Sequence, residues 1–484
     1  MIFLNNIKKY QLSRLLEISS SFSQRLFNNE EPIARIFRYD QSRFLRGSYR
    51  LAGSTYLVPW FLVDISYYAI KCSNDFRANI PSEHDFLNIY RQFLKYDEQL
   101  TSSQYEKLKS TDKLFYMLFG LSQKSFWFQE RHRLISMNAR FYELLYEIPK
   151  RHTTIPQFYR HIENKYKVDF ETYNISSIAL LYISLNNLYY RFPYNIGPKL
   201  GNRNIDNDLL STMLFDYIED YGNVRKNSLE SKQLYLTPVV RTSRNELLAT
   251  SAFLIARKAT TNLYWETRNL YRKSEGKELN QMLGGSFEIY VDELLAHYLP
   301  RHMYERLPER RKHKTSDIVI TTNDYRIITE QKFSMLNISL QDTVFDIEKV
   351  DNWLKSYIQA VKQLGETSNQ IDHNNKIIIK LILFFDDLYI ADGLIKERIL
   401  HLYKEETAED IDLSNVFMID IGDYEVLIYL IARNEGLFNK IMRVKLERDS
   451  KKDYSKGVEF NQIFQEYGVI ENEYIKTKKL FRLD

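Results

Sequence analysis

Apolar residues in the first 220 positions recur at intervals of three and four, as in the runs that begin at Ile7 and Ile175. This spacing is typical of helices with one buried face, and polar stretches with Gly or Pro separate the segments. The pattern predicts a mostly α-helical, aromatic-rich region at 1–235. A helical connector at 236–278 follows, with one long helix at about 244–272. The pattern leaves open whether the region senses a signal, binds substrate or binds a partner.

From Ser286 onward, helical segments alternate with short runs rich in β-branched and aromatic residues. These runs predict strands at 317–321, 325–332, 376–385 and 416–421. Between the second and third, a helix is predicted at about 343–364, with one apolar stripe that includes Leu354, Tyr357 and Leu364. Strands that alternate with helices indicate an α/β fold with helices packed on a sheet. We place this domain at 279–435. A helical tail of mixed charge follows at 436–484, and we expect it to be solvated, with a contact to a partner or to a nucleic-acid backbone as the alternative.

The chain carries 67 basic and 63 acidic residues, so its net charge of +4 says little by itself. The stretch 301–314 has a local excess of positive charge. Such a segment would bind a nucleic-acid backbone by releasing counterions, but charged loops are also commonly solvated, and the sequence leaves both interpretations open. The candidate backbone-binding residues are Arg306, Arg310, Arg311, Lys312 and Lys314.

Several classes of protein are disfavoured by what the sequence lacks. Cys72 is the single cysteine, so a disulfide framework and a cysteine-rich zinc site are excluded. The apolar run at 56–70 contains Pro59 and Asp64 and predicts a core helix rather than a membrane span. We expect no signal peptide, a cytoplasmic location, and no ATP binding, because no phosphate-binding loop motif is present. Most of the 36 tyrosines are expected in cores or interfaces, with a base-stacking platform as the lesser alternative.

The strongest chemical signal is a predicted hairpin with charged residues at one end. Asp317 opens one strand, and Glu330 and Lys332 close the next after a turn at 323–324. Residues two apart on a strand project to the same face, so Glu330 and Lys332 are expected to point into one site while Gln331 points away. Carboxylates brought together in this way repel each other unless a cation lies between them, and hard oxygen ligands suit Mg²⁺ or Mn²⁺.

These residues resemble the PD-(D/E)xK nuclease superfamily. The resemblance rests on Ser316-Asp317, twelve intervening residues and Glu330-Gln331-Lys332, preceded by the segment Gly284–Tyr290. It covers about 279–430, and serine stands at 316 where the family name has proline. The resemblance implies a restriction-endonuclease-like mixed-sheet core. For the first 270 residues we recognise no family.

The resemblance also implies roles for individual residues. Asp317 and Glu330 would hold the metal ion, and Lys332 would position the attacking water. A glutamate on the helix before the hairpin often joins the metal site in this superfamily, so Glu288 is included, and the Gln331 carbonyl is a further candidate ligand. Gln359, Lys355 and Lys362 lie on the following helix, where a polar residue near the scissile phosphate is common, although a solvent-facing position is favoured for each. Asp386 and Asp387, after the third strand, and Asp420, near the end of the fourth, are expected to be strand-end caps.

The function implied is that of a metal-dependent nuclease, with DNA favoured over RNA and endonuclease over exonuclease action. By resemblance, such a chain is similar to effectors of bacterial restriction or anti-phage defence. A protein partner that supplies activation or an ATPase is expected to be separate, and a homodimer is compatible with double-strand cleavage. One alternative is a catalytically inactive nucleic-acid-binding or protein-interaction subunit. Another is that Asp317, Glu330 and Glu288 are ordinary solvated carboxylates with no catalytic role.

Overall fold

The computed structural model has a mixed α/β fold in which helices predominate. The residues that it describes are 2–28, 49–50, 56–106, 108, 110–125, 131–186, 188–190, 199–200, 203–204, 207–226, 232–276, 278–307, 317–335, 346–372, 375–386, 392–407, 411–451, 459–469 and 473–478.

The helices, given with their bounds, are α1 (Ile2–Ile7), α2 (Leu12–Asn28), α3 (Pro59–Cys72), α4 (Glu83–Tyr105), α5 (Ser110–Ser125), α6 (Arg131–Tyr142), α7 (Ile148–Arg151), α8 (Tyr159–Tyr166), α9 (Phe170–Asn186), α10 (Asn207–Phe215), α11 (Tyr221–Lys226), α12 (Lys232–Leu236), α13 (Ala252–Glu275), α14 (Leu279–Tyr298), α15 (Ile347–Gln370), α16 (Asp392–Thr407), α17 (Ile421–Arg433), α18 (Glu435–Ser450), α19 (Phe460–Glu466) and α20 (Glu473–Lys476). A π-helical turn, Glu143–Glu147, joins α6 to α7, and a 3₁₀ turn, Arg301–Met303, follows α14.

The strands are β1 (Tyr49–Arg50), β2 (Tyr56–Leu57), β3 (Tyr189–Tyr190), β4 (Lys199–Leu200), β5 (Arg203–Asn204), β6 (Ile218–Asp220), β7 (Val239–Arg241), β8 (Leu247–Ala249), β9 (Tyr304–Arg306), β10 (Ile318–Thr321), β11 (Tyr325–Lys332), β12 (Ile377–Phe384) and β13 (Val416–Asp420). They form a five-stranded sheet, a four-stranded sheet and two two-stranded pairs.

The five-stranded sheet has the order β13-β12-β11-β10-β9. Strand β10 is antiparallel to both of its neighbours, β9 and β11, whereas β11, β12 and β13 run parallel. The four strands predicted from the sequence are all present, and the hairpin of β10 and β11 is confirmed. Strand β9 lies in the basic segment that was treated as a charged loop; its three residues are too few to show an alternating pattern.

Alternate residues of β11 face two different hydrophobic cores. Ile327 joins the principal core, which includes α14 and α17, and Ile328 joins a second core formed with α5, α15 and α16. Helix α15 packs against β11 and β12, and its predicted apolar stripe is buried, with Leu354, Tyr357 and Leu364 almost inaccessible to solvent. Hydrophobic residues therefore cover both faces of the strand that carries the candidate site.

The connector differs from the prediction at its start. The long helix begins at Ala252 rather than near 244, because Leu247–Ala249 form β8. All three residues of β8 are buried, and they pair with β7 and β3 in the four-stranded sheet. The predicted helix therefore included residues that form a strand. The partners of this strand are β3, which is distant in sequence, and β7, which is too short to recognise from the sequence.

Helix α14 also begins earlier than the sequence indicated. Gly284 and Gly285 were predicted to precede the helix, but both lie inside it. A Cβ atom at position 285 would approach the Ile155 side chain to 3.1 Å, so glycine permits a close contact there. Gly285 therefore serves packing, whereas a Cβ atom at position 284 would meet no atom within 4 Å.

The expectation of a solvated carboxy-terminal tail was wrong. The tail is helical, but Phe438, Ile441, Phe460 and Tyr474 are buried in the principal core. Apolar residues on short amphipathic helices bury their faces wherever a complementary surface exists, and here the α14 and α17 surface provides one. The tail is therefore part of the folded body.

Among the described residues, no helix is long and apolar enough to cross a bilayer. The run at 56–70 falls mostly within α3, whose Leu62, Val63 and Ile65 are completely buried. The predicted core helix is confirmed. Many tyrosines lie in the cores, since ten of the eleven largest fully buried side chains among the described residues are tyrosines.

Candidate active site

Asp317 and Glu330 lie opposite each other at the end of the β10–β11 hairpin. Ile318 pairs with Thr329, and the Asp317 amide donates to the Thr329 carbonyl at 3.1 Å. Continuing this register by one residue places Asp317 opposite Glu330, and directly opposed residues of an antiparallel pair share a face of the sheet. The hairpin therefore brings these carboxylates to one place, as the sequence predicted.

The Asp317 side chain is anchored to the neighbouring strand. Its Oδ2 atom accepts a hydrogen bond from the Gln331 backbone amide at 2.7 Å. A hydrogen bond to a carboxylate is stronger than one between neutral groups, so this contact fixes the orientation of Asp317. The carboxylate is held against the end of β11, beside Glu330.

Glu330 is a buried carboxylate with a lysine beside it. The Lys332 Nζ atom donates to Glu330 Oε1 at 2.7 Å. The Glu330 side chain is only 4% exposed, whereas that of Lys332 is 32% exposed. An isolated charge is costly to bury, so the ammonium group compensates Glu330 on one side while it remains open to solvent on the other.

Glu288 lies on α14 and is directed toward the edge strand. Its Oε2 atom is 3.9 Å from the Arg306 Nη1 atom, and its side chain is 53% exposed. Arg306 binds Asp292 more closely, with Nη2 2.8 Å from Oδ1, and also donates to the Glu288 carbonyl at 3.2 Å. The described side chains contain no group of three or more His, Cys, Asp or Glu arranged to hold a metal ion. Thus the structure brings Asp317, Glu330 and Lys332 together and does not place Glu288 in a three-ligand cluster with them.

The candidate phosphate-binding residues have different positions. Arg306 is on β9 and is paired with Asp292, while Arg310, Arg311, Lys312 and Lys314 lie outside the described residues. On α15, Gln359 is exposed.

The two lysines considered with Gln359 also have local partners. The Lys355 Nζ atom is 2.5 Å from Glu406 Oε1, and this hydrogen bond raises the pKa of Lys355. The Lys362 Nζ atom lies 4.8 Å from the centre of the Tyr403 ring. Both contacts join α15 to α16, so each lysine has a local structural role.

Gln331 points to the opposite face of the sheet, as predicted. Its side chain is 9% exposed, and neither its Oε1 nor its Nε2 atom has a hydrogen-bond partner among the described residues. The backbone amide of the same residue holds Asp317. Gln331 therefore contributes to the site through its main chain, and its buried amide side chain is polar without a protein partner.

A contact that the sequence analysis missed lies just beyond Lys332. The Ser334 Oγ atom is 3.2 Å from the Tyr357 hydroxyl on α15. Burial raises the pKa of Tyr357, and the nearby charge of Asp386 acts in the same direction. Tyr357 was predicted only as part of the apolar stripe. The hydroxyl of a buried tyrosine usually forms a hydrogen bond. A tyrosine at a position predicted to be buried was therefore the feature of the sequence that could have indicated this contact.

Asp420 caps a helix rather than joining the site chemistry. Its carboxylate accepts from the Asp423 amide at 2.9 Å at the start of α17. The prediction that it is a strand-end cap is confirmed. The similar expectation for Asp387 lies outside the described residues.

No protein-family model, curated protein or solved structure matches this chain. Its functional interpretation therefore depends on the site itself.

The donor set at the end of the hairpin fits a hydrated divalent cation. Mg²⁺ is commonly held by one or two carboxylates and completes its shell with water and phosphate oxygens. Asp317 and Glu330 supply that number of carboxylates from adjacent strands. Lys332 binds Glu330 Oε1 in this structure. A metal ion at Glu330 would weaken this contact and leave the ammonium group available to bind water or a phosphate oxygen.

Proposed function

We propose that this chain is a Mg²⁺- or Mn²⁺-dependent phosphodiesterase that cleaves nucleic acid, with DNA favoured over RNA and internal cleavage favoured over cleavage from ends. The observation that carries the proposal is the arrangement of Asp317 and Glu330 on neighbouring strands with Lys332 2.7 Å from Glu330. Carboxylates that hold a metal ion next to a lysine form a suitable site for the hydrolysis of a phosphodiester.

The order of elements around the site also supports the proposal. A helix, α14, precedes three antiparallel strands, and α15 then leads to the parallel strand β12. This order agrees with the mixed-sheet core that the resemblance to PD-(D/E)xK nucleases implies. A role in restriction or anti-phage defence rests on that resemblance alone.

Each residue of the site has its own role in the proposed reaction. Asp317 and Glu330 would hold the metal ion, which would supply Lewis-acid stabilisation of the phosphate and acidify a bound water. Lys332 would orient the attacking water or neutralise charge on the phosphate, and its partial exposure leaves it accessible to substrate. Gln331 keeps Asp317 in place through its backbone amide.

The decisive experiment measures cleavage of linear duplex, circular and single-stranded DNA and of RNA in Mg²⁺, Mn²⁺ or EDTA. The intact chain is compared with Lys332→Ala and Glu330→Gln, and Glu366→Gln, at an exposed position of α15, is the matched control. The proposal expects metal-dependent cleavage that both site variants lose and the control retains. Cleavage that persists in either site variant would reject the assignment.

A second candidate function is a nucleic-acid-binding subunit without catalysis. Two observations favour this alternative. Lys332 is hydrogen-bonded directly to Glu330, and the described residues contain no acidic cluster with three ligands for a metal ion. The alternative predicts binding to DNA that does not depend on metal and is unchanged in Glu330→Gln. Electrophoretic mobility measured with and without EDTA separates the two functions.

A further inference from the structure

An open cleft lies in the helical region, formed by α8, α13 and the end of α10. Its volume is about 740 Å³, within the range of roughly 300 to 1,000 Å³ that is typical of small-molecule sites. The residues that line it are Lys165, Asp216, Glu266, Asn269, Leu270, Arg272 and Lys273. None of these residues takes part in the candidate active site, so the cleft is a separate feature of the molecule.

The inner wall of the cleft is a compact ionic cluster. The Lys165 Nζ atom is 2.5 Å from Glu266 Oε1 and 3.3 Å from Asp216 Oδ2. The Tyr166 hydroxyl donates to Asp216 and also reaches Glu266 Oε1 at 3.3 Å. Burial lowers the pKa of the neighbouring Lys258, which Asp216 and Glu266 oppose. Lys165 contacts both carboxylates, and Lys258 interacts with them electrostatically, so the acidic side chains are already compensated from within the protein.

The outer wall carries an excess of positive charge. Arg272 and Lys273 are both exposed in the last turn of α13. Arg272 and Arg268 share one carboxylate, Glu278, at 3.4 Å each, and Lys273 has no ion-pair partner among the described residues. Glu275, also exposed in this turn, adds a second anion, so three cations against two anions leave one positive charge in excess. The carbonyl end of a helix offsets only about half a unit charge, so the outer wall stays positive.

The remaining wall residues offer neutral contacts. Asn269 is exposed on α13 and makes no hydrogen bond to any described residue, so its amide can both donate and accept. Leu270 beside it is partly buried and presents apolar surface. A ligand that fills this space would combine an anionic group with a body that has polar edges and an apolar face.

We propose that this cleft binds a nucleotide, with its phosphates at Arg272 and Lys273 and its nucleoside against Asn269 and Leu270. A polyamine or another cationic ligand is disfavoured, since Asp216 and Glu266 already have lysine partners. A site on the helix that precedes α14 would give the helical region a ligand-binding role of its own. The proposal departs from the sequence-based expectation of no ATP binding. That expectation rested on the lack of a phosphate-binding loop, whereas here the phosphates would bind to the side chains of Arg272 and Lys273. The inference does not require phosphodiesterase activity.

Isothermal titration of the full chain in EDTA tests the proposal, and EDTA removes any contribution from the metal-dependent site. The probes are ATP, AMP, adenosine, pyrophosphate and spermidine. The variants are Arg272→Glu/Lys273→Glu and the milder Lys273→Gln, with Lys226→Glu as the control at an exposed position of α11. Thermal unfolding of each variant checks that the fold is intact.

The proposal expects ATP to bind at one site, more tightly than either adenosine or pyrophosphate. Reversing two cations beside a charged ligand should weaken ATP binding roughly tenfold or more, and Lys273→Gln should weaken it less. The control should stay within about twofold of the intact chain, since distant exposed charges are screened.

Several results would overturn the inference. Absence of ATP binding, or equal ATP binding in all variants, rejects the site. Pyrophosphate that binds as tightly as ATP rejects the nucleoside contact, and adenosine that does so rejects the phosphate contact. Spermidine as the preferred ligand rejects the anionic class. Because titration reports binding alone, these outcomes remain distinct from a failure to cleave nucleic acid.

Discussion

Two buried glutamates in this molecule are neutralised in different ways. Glu425 on α17 is completely buried, and Arg140 donates to both of its oxygens, at 2.9 and 2.8 Å, while the Tyr290 hydroxyl donates at 2.6 Å. Glu330 is nearly as buried, but the lysine beside it is partly exposed. Both partners of the Glu425 ion pair are buried, whereas the cation that pairs with Glu330, Lys332, is partly exposed to solvent.

The contrast separates a structural charge from one that is suited to chemistry. Arg140 comes from α6, so its contact with Glu425 ties the helical region to the sheet domain, and Tyr290 on α14 holds Glu425 from within that domain. The planar guanidinium matches the carboxylate in a bidentate way and leaves little freedom to exchange partners. The contact of the Lys332 ammonium group with Glu330 is easier to replace, by a metal ion or by substrate.

The largest expected effect is on stability, from Arg140→Ala. Removal of one partner of a buried ion pair leaves the other charge uncompensated, and the cost should be about 3–5 kcal/mol. Urea unfolding, followed by tryptophan fluorescence, measures it. The double variant Arg140→Met/Glu425→Leu should recover much of the loss, because both charges are then absent. If Arg140→Ala leaves the midpoint unchanged, Glu425 is not the structural anchor described above.

The next largest effect is on activity, from Lys332→Ala. If the proposed function is correct, cleavage should fall by roughly 10²- to 10³-fold, the usual loss when one group that stabilises transition-state charge is removed. The unfolding midpoint should change less than in Arg140→Ala, since Lys332 is partly exposed and water can reach the site. An equal loss of stability in the two variants would show that the Glu330 pair is structural after all.

A smaller effect is expected where α5 meets α15. The Tyr116 hydroxyl donates to Asp351 Oδ1 at 2.6 Å, and Arg398 binds the same carboxylate with Nη2 2.8 Å from Oδ2. Tyr116→Phe should cost about 1 kcal/mol, because Arg398 continues to compensate Asp351. Urea unfolding of Tyr116→Phe and of Arg398→Ala tests which contact contributes more to stability. Arg398→Ala should lower the free energy of unfolding clearly more than Tyr116→Phe does. The reverse order would contradict this account.

The smallest effect concerns pH and His161. Burial lowers the pKa of His161, with Glu275 opposing the shift, so the folded chain holds this proton less tightly than the unfolded chain. The stabilising contribution is therefore complete above the usual histidine pKa of about 6.5 and decreases as pH falls below it. His161→Gln should reduce the slope of the unfolding midpoint between about pH 5 and pH 7. An unchanged slope would assign the pH dependence to other groups.

Much of the sheet domain was predictable because its signals are local. Strands β10 to β13 are short runs rich in β-branched and aromatic residues, and helix α15 has a clear periodicity of 3.6 residues. Asp317 and Glu330 are close in sequence and joined by a short turn, so the hairpin alone predicts that they meet. The contact between Lys332 and Glu330 follows from their two-residue spacing in the same way.

The sequence by itself thus determined the fold class of this domain, the hairpin and the charged residues at its end. Only the tertiary structure decided that Glu425 meets Arg140, 285 residues away, that β8 joins a sheet, and that the tail is buried. Periodicity reports which face of an element is apolar, but it does not identify the surface that covers that face. For the same reason the cleft beside Lys165, built from three separate helical segments, left no local pattern in the chain.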